Sequence, residues 1–420
     1  MQIVSVWARE ILDSRGNPTV EVDVITQGGI GSAAAPSGAS TGKHEAVELR
    51  DGGSRYLGKG VRKAVENVNT IIAPELEGMD VTKQQEIDLK MRELDGTKDK
   101  SRLGANAIVA TSMAVLRAAA ACDQKPLYKY LGGEKIPEAM FNVINGGKHA
   151  GGNLAIQEFL LIPKAKTFSE RLQIASEVYH ILGKQLVKKY GPSARNVGDE
   201  GGYAPQMNKT DEALEVLAKA ISEAGYEGKC GLAIDAAASS FYNPEKDVYL
   251  IDGVEMDNGE MIEFYKELCG MYKIESLEDP FHEEDFDSFA ELTAAVRKKV
   301  QVIGDDLLVT NISRIKHAIE KKAVTALLLK INQIGTVSEA LEAASLCRES
   351  NLNIVVSHRS GETEDNFIAD FSVGINAAQI KSGAPARGER IAKYNQLLRI
   401  EESMFFELEG KSEEIEAQQI

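Results

Sequence analysis

Three features of the sequence predict an α/β protein in which a small α+β unit precedes a (β/α)8 barrel. At 420 residues the chain exceeds one comfortable hydrophobic core, so two domains are expected. Near Gly132-Gly133 the pattern changes, and from there short apolar strands alternate with helical stretches, as in a parallel sheet with crossover helices. The strands of this second part finish in charged or polar residues at steps of about 25 residues, one strand-helix unit each, and a barrel gathers such strand ends on one face. An open doubly wound sheet would gather them along one edge and is the alternative fold.

In the first part, expected over residues 1–130, IVSVWA opens as a strand. TVEVDVIT (19–26) alternates apolar and polar residues as a half-exposed antiparallel strand does, and Gly28-Gly29 turns the chain into a third strand, IGSAAA. Helical patterns follow at roughly 60–72, 83–94 and 105–121. The second domain is expected over 135–420. There LAID ends at Asp235, IESLED carries Glu278 and Asp279, and VIGDD carries Asp305 and Asp306. LLLK ends at Lys330, NIVVSH at His358 and AQIK at Lys381.

Composition excludes several function classes. A 43% hydrophobic, 27% charged chain is ordinary for a globular protein, and a net charge of −16 argues against nonspecific binding to nucleic acid or anionic membranes. The four cysteines are isolated, without metal-binding spacing, and read as reduced structural thiols. MQIVSVWARE has neither a basic n-region nor an apolar h-region, so no secretory signal is expected and the protein is placed in the cytoplasm. The apolar stretch 105–121 is rich in alanine and interrupted by Asn106 and Arg117, which suits a core helix better than a membrane span.

Several motifs fail on context. Gly29-x-Gly31-x-x-Ala34 resembles a dinucleotide fingerprint, but no helix opens there and Pro36 follows. SGASTGKH resembles a phosphate loop through Gly42-Lys43, yet Ser37 replaces its first glycine and His44 its Ser/Thr. No nucleophile elbow accompanies Ser357-His358. The metal case is better: Asp235, Glu278 and Asp305 offer three hard oxygen ligands from separate strand ends, a set suited to Mg2+. Asp279 and Asp306 read instead as helix N-caps. Asp199 and Glu200 are adjacent acids in a glycine-flanked loop, and Arg359, Ser360 and Lys381 are donors suited to an anionic group such as phosphate. Lys330 either snorkels to water or sits in the cluster, where burial would lower its pKa towards that of a base.

An ordered series of longer stretches resembles the enolase (phosphopyruvate hydratase) family: ILDSRGNPT (11–19), PSGASTG (36–42), NGGKHAGG (145–152), QEF (157–159) and GDEGGYAP (198–205). The series continues through LEDPF (277–281), GDDL (304–307), LLLKINQIGT (327–336), SHRSGETED (357–365) and KSGAPARGER (381–390). The resemblance implies a modified (β/α)8 barrel whose first elements break strict alternation, behind a smaller N-terminal α+β domain. It implies Mg2+-dependent, reversible dehydration of 2-phosphoglycerate to phosphoenolpyruvate, with two ions per site, the second arriving with substrate. By the same resemblance Lys330 is the base at C2, and Glu200, with Glu158 beside it, the acid for the C3 hydroxyl. Asp235, Glu278 and Asp305 hold the first ion, and Ser40, on a closing loop at 36–42, helps bind the second. Arg359 and Ser360 take the phosphate, Lys381 the carboxylate end, and Gln157, His149 and His358 line the pocket. A homodimer, or a ring of dimers, is the implied assembly. Ser240 departs from the family pattern, in which glutamate is common, and leaves the Asp235 ligand itself untouched.

Overall fold

The first three strands form an antiparallel meander: β1 (Ile3–Leu12), β2 (Pro18–Thr26) and β3 (Ile30–Ala34), in that order. The computed structural model describes residues 1–39 and 42–417, with side chains through 406. Val20, Val22 and Val24 of β2 point inward, as the alternation predicts. They face the helix Ala105–Cys122, which is long and apolar enough to cross a membrane but is 83% buried inside the fold. That helix lies close against β3 because Gly31 has no side chain: a Cβ there would stand 2.1 Å from the Ala114 carbonyl oxygen. The helix expected at 60–72 is built as Arg62–Asn67, a π-turn at Val68–Ile72 and a last turn at Ala73–Leu76. The wide turn falls just before Pro74, which has no N–H to continue the ladder.

The second part contains β4 (Glu138–Asn145), β5 (Glu158–Pro163) and β6 (Cys230–Asp235), then a small sheet of β7 (Tyr242–Asn243), β8 (Val248–Ile251) and β9 (Val254–Met256). It continues with β10 (Ile274–Glu278), β11 (Gln301–Gly304), β12 (Ala326–Leu329), β13 (Asn353–Ser357) and β14 (Gln379–Lys381). Eight strands close a barrel in the order β10-β11-β12-β13-β14-β4-β5-β6, and β6 pairs with β10 to complete it. Closure excludes the open sheet. The chain passes from β4 to β5 with only a short 3-10 turn between them, so β5 runs antiparallel to both neighbours. The remaining pairs are parallel. Met140, Leu160, Ile162, Ala233, Ile303, Ala326, Leu328 and Val355 fill the interior as a packed plug.

The two parts are joined near the carboxyl face of the barrel. Ser37 and Gly361 form an isolated bridge. Asp365 takes both amino groups of Arg117, at 2.7 and 2.9 Å, and the Ala34 N–H at 2.8 Å.

Candidate active site

Register determines which charged residues meet at this face. Asp235 stands opposite Glu278 on β10 and opposite Glu158 on β5, while Lys381 pairs with Ser357 on β13. Glu158 is the first residue of its strand, and only the reversed direction of β5 brings a strand beginning to the face where the others end. Lys381 Nζ lies 2.8 Å from Glu278 Oε1, 3.1 Å from Asp235 Oδ2 and 3.2 Å from Glu158 Oε2. Burial works to lower the Lys381 pKa, but these three carboxylates hold it well above the usual lysine value.

Asp305 follows β11 and Lys330 follows β12; Lys330 Nζ donates to Asp305 Oδ2 at 2.5 Å. Burial is the largest influence on Lys330 and acts in the direction the sequence suggests, yet the net shift is upward, because the Asp305 and Glu278 carboxylates together outweigh it. Lys330 does not snorkel; it is an ammonium held in the cluster. The other Asp305 oxygen accepts from Gln333 Nε2 at 2.9 Å. Asp279 and Asp306 are not helix caps. The Asp279 carboxylate accepts the N–H groups of Asp305 and Asp306 at 2.8 and 2.7 Å, and so shapes the loop that presents Asp305. Burial, and then Asp305, raises Asp279 well above the ordinary range and pushes Asp306 to about 8.

A second group lines the same cavity. Glu200 Oε1 is 3.4 Å from His149 Nδ1 and 3.7 Å from His358 Nε2, and Asn142 donates to Glu200 Oε2 at 3.0 Å. Burial and the Glu200 carboxylate push Glu158 well above its ordinary pKa. Burial pushes Glu200 upward too, but His149 and the hydrogen bond shared with Glu158 act downward, and the net shift is well below the ordinary value. The opposite directions of these two shifts are those of a carboxyl pair that shares a proton, with Glu158 the more readily protonated partner. Gln157 Nε2 donates to Asp235 Oδ2 at 3.3 Å.

Arg359 and Ser360 follow β13 at the rim. The Arg359 guanidinium pairs with Glu45 at 2.9 and 3.1 Å, and Arg15 Nη1 donates to Ser360 Oγ at 3.4 Å. A cavity of about 420 Å3 lies beside them, bounded by Pro36, Lys43, Glu45 and Arg359. Ser40 lies outside the described residues. Ser240 sits in the turn Ala238–Ser240 after β6, and the residues lining the central cavity do not include it.

Among the described residues, the acidic sets whose ligand atoms close to within 4.8 Å are His149, Glu158, Glu200 and Asp279, Asp305, Asp306. The predicted ligands divide differently: Asp235 and Glu278 converge on Lys381, and Asp305 on Lys330. Their chemistry nonetheless fits a hard divalent cation. All three are buried oxygen donors, and burial together with Asp235 holds the Glu278 carboxyl well above its ordinary pKa, the mark of surplus negative charge. Glu45, Gln333, Asn142, Arg15 and Arg390 have contacts here that the sequence reading did not assign. Gln333, Arg15 and Arg390 each fall inside one of the family stretches, which was the available signal.

Comparison with known proteins yields two family-model matches: "Enolase, N-terminal domain" over residues 3–131 and "Enolase, C-terminal TIM barrel domain" over 134–415. A curated protein of Pyrococcus furiosus named enolase is 58% identical over 415 residues, 97% of this chain and 96% of that protein. An enolase of Thermococcus kodakarensis matches at 58% with the same coverage, and one of Methanocaldococcus jannaschii at 56% over 96% of both chains.

Proposed function

Because the chain belongs to the enolase family, it is a metal-using lyase that converts 2-phospho-D-glycerate reversibly to phosphoenolpyruvate and water, and we propose how its residues divide that work. Lys330 removes the C2 proton. Glu200 delivers to the departing C3 hydroxyl the proton it shares with Glu158, so that one C–H and one C–O bond break and water leaves. Lys381 faces the substrate carboxylate, where negative charge builds as the C2 proton is lost. Arg359 and Ser360 hold the phosphate, and His149, Gln157 and His358 line the pocket.

Asp235, Glu278 and Asp305 are the ligands of one Mg2+; a second, arriving with substrate, involves Ser40. Held by these three carboxylates, Mg2+ would supply Lewis-acid stabilisation to the substrate carboxylate, and Asp305, as one of its ligands, would hold the Lys330 ammonium less tightly. The base has to be neutral, and moving a lysine from about 10.4 to about 7 costs roughly 5 kcal/mol. Withdrawal of Asp305 from the ammonium, together with the neighbouring Lys381 and Arg359 charges, acts in that direction.

The observation that supports this reading is that one buried cavity holds both Lys330, paired with Asp305, and the Glu158/Glu200 pair. Following 2-phosphoglycerate turnover by the ultraviolet absorbance of phosphoenolpyruvate tests it; no absorbance change with Mg2+ present refutes it.

We further infer a domain boundary between 130 and 135, a cytoplasmic location and a homodimer. Supporting the dimer, edge strand β1 leaves the large apolar residues Val4, Trp7 and Leu12 exposed, surface that a second copy could cover.

A further inference from the structure

Arg390 is wholly buried, and it spends its guanidinium beneath the acid side of the cavity. Nη1 donates to the Arg359 carbonyl at 2.7 Å and lies 2.6 Å from His358 Nδ1. Nη2 donates to the carbonyls of Ser360, at 2.6 Å, and Asp199, at 3.0 Å. One side chain thus joins the His358 ring, the end of β13 and the loop that carries Glu200.

A guanidinium has donors and no acceptor, and it keeps its charge. The atom facing it, His358 Nδ1, therefore meets it as an acceptor with a free lone pair. A neutral imidazole carries one ring proton, which then resides on Nε2. That nitrogen is buried, has no hydrogen-bond partner, and lies 3.7 Å from Glu200 Oε1. The charged groups facing the ring are Glu200, Arg390, Lys381 and Lys330, three of them cationic. Burial first, and then Arg390 and the two lysines, keeps the ring neutral against the opposing pull of Glu200.

We propose that Arg390 is a positioning residue that fixes His358 as the neutral tautomer protonated at Nε2, so that the ring serves the C3 oxygen as a hydrogen-bond donor only. His358 then transfers no proton in either direction. Giving up the Nε2 proton would leave an imidazolate, and taking a second one at Nδ1 would oppose the guanidinium there. The proton that leaves with the hydroxyl comes from the Glu158/Glu200 pair alone. The assignment of the C3 oxygen rests on the reading given under Proposed function; the tautomer does not.

Nitrogen-15 spectra of the protein labelled at histidine read the tautomer directly, with the His358 signals identified by their loss in His358→Gln. In the unaltered protein we expect a protonated Nε2 and an unprotonated Nδ1, unchanged between about pH 6 and pH 8. Arg390→Met removes the donors at similar length. It should give His358 signals that mix tautomers and titrate, with kcat reduced on the order of 10- to 100-fold and KM altered much less. A protonated Nδ1 in the unaltered protein overturns the proposal, and that measurement needs no folded variant. So does an Arg390→Met protein that loses activity while keeping the original ring pattern. Absence of 2-phosphoglycerate turnover with the expected tautomer would instead refute the functional reading and leave the Arg390 assignment standing.

Discussion

Glu45 accepts both terminal amino groups of Arg359, at 2.9 and 3.1 Å, across 314 residues of chain. Glu45 Oε1 also accepts the Gly42 N–H at 3.0 Å and Gln333 Nε2 at 3.3 Å, and Gln333 in turn reaches Asp305. The carboxylate therefore links the segment after the glycine-rich loop to an anion-binding arginine and to a predicted metal ligand. It also occupies the same guanidinium edge that a phosphate would use.

Removing that negative charge should strengthen anion binding. We expect Glu45→Gln, which keeps the shape, to bind inorganic phosphate about tenfold more tightly, since one like charge near the anion is lost. Titration calorimetry checks this, and weaker binding would show that Glu45 serves mainly to hold Arg359 in place.

Metal dependence follows from the oxygen-only donor set. A chelator should abolish turnover and Mg2+ restore it, and Asp305→Asn should raise the Mg2+ concentration needed for half-maximal rate. Undiminished turnover in metal-free buffer would exclude the assignment.

Base and acid are different residues lining one cavity, so the two steps should be separable. Lys330→Ala is expected to lose both dehydration and exchange of the C2 hydrogen with deuterated water. Glu200→Gln should lose dehydration by about 10²–10⁴-fold while Lys330 still exchanges the C2 hydrogen. Mass spectrometry of recovered 2-phosphoglycerate reads the exchange; the opposite pattern would reverse the two roles.

Asp365 joins the two parts of the fold and gives stability a defined acid limb. Burial pushes its carboxyl upward, but Arg117 outweighs burial and the net shift is below the ordinary value. A carboxyl depressed in the folded state stabilises fully above its unfolded value of about 3.9, and that contribution is lost as pH falls through the folded value. Asp365→Asn should cost about 3 kcal/mol at neutral pH, as breaking a buried pair does. It should also flatten the loss of stability below about pH 4. Urea unfolding at several pH values measures both effects.

The barrel and its site were legible in the sequence where the signal is local. Strand alternation in TVEVDVIT, the repeating strand-helix unit and the charged strand ends depend on residues a few positions apart, so period and spacing reveal them. The helix cores at 83–94 and 105–121 were visible for the same reason. The bend before Pro74 was less so, because hydrophobic period does not report a π-turn.

Only the tertiary structure decided which charges meet. The reversed course of β5 sets Glu158 beside Asp235 and Lys381, and no local pattern encodes strand direction. Lys330 reads in sequence as a buried lysine with a lowered pKa. In the fold it faces Asp305 at 2.5 Å and is held as an ammonium, because the neighbouring carboxylates, Asp305 before Glu278, together outweigh desolvation. Glu45 with Arg359, and Arg390 with His358, are likewise meetings of distant segments. Residue types are written along the chain, whereas protonation and pairing depend on the charges that register and barrel closure bring within a few ångströms.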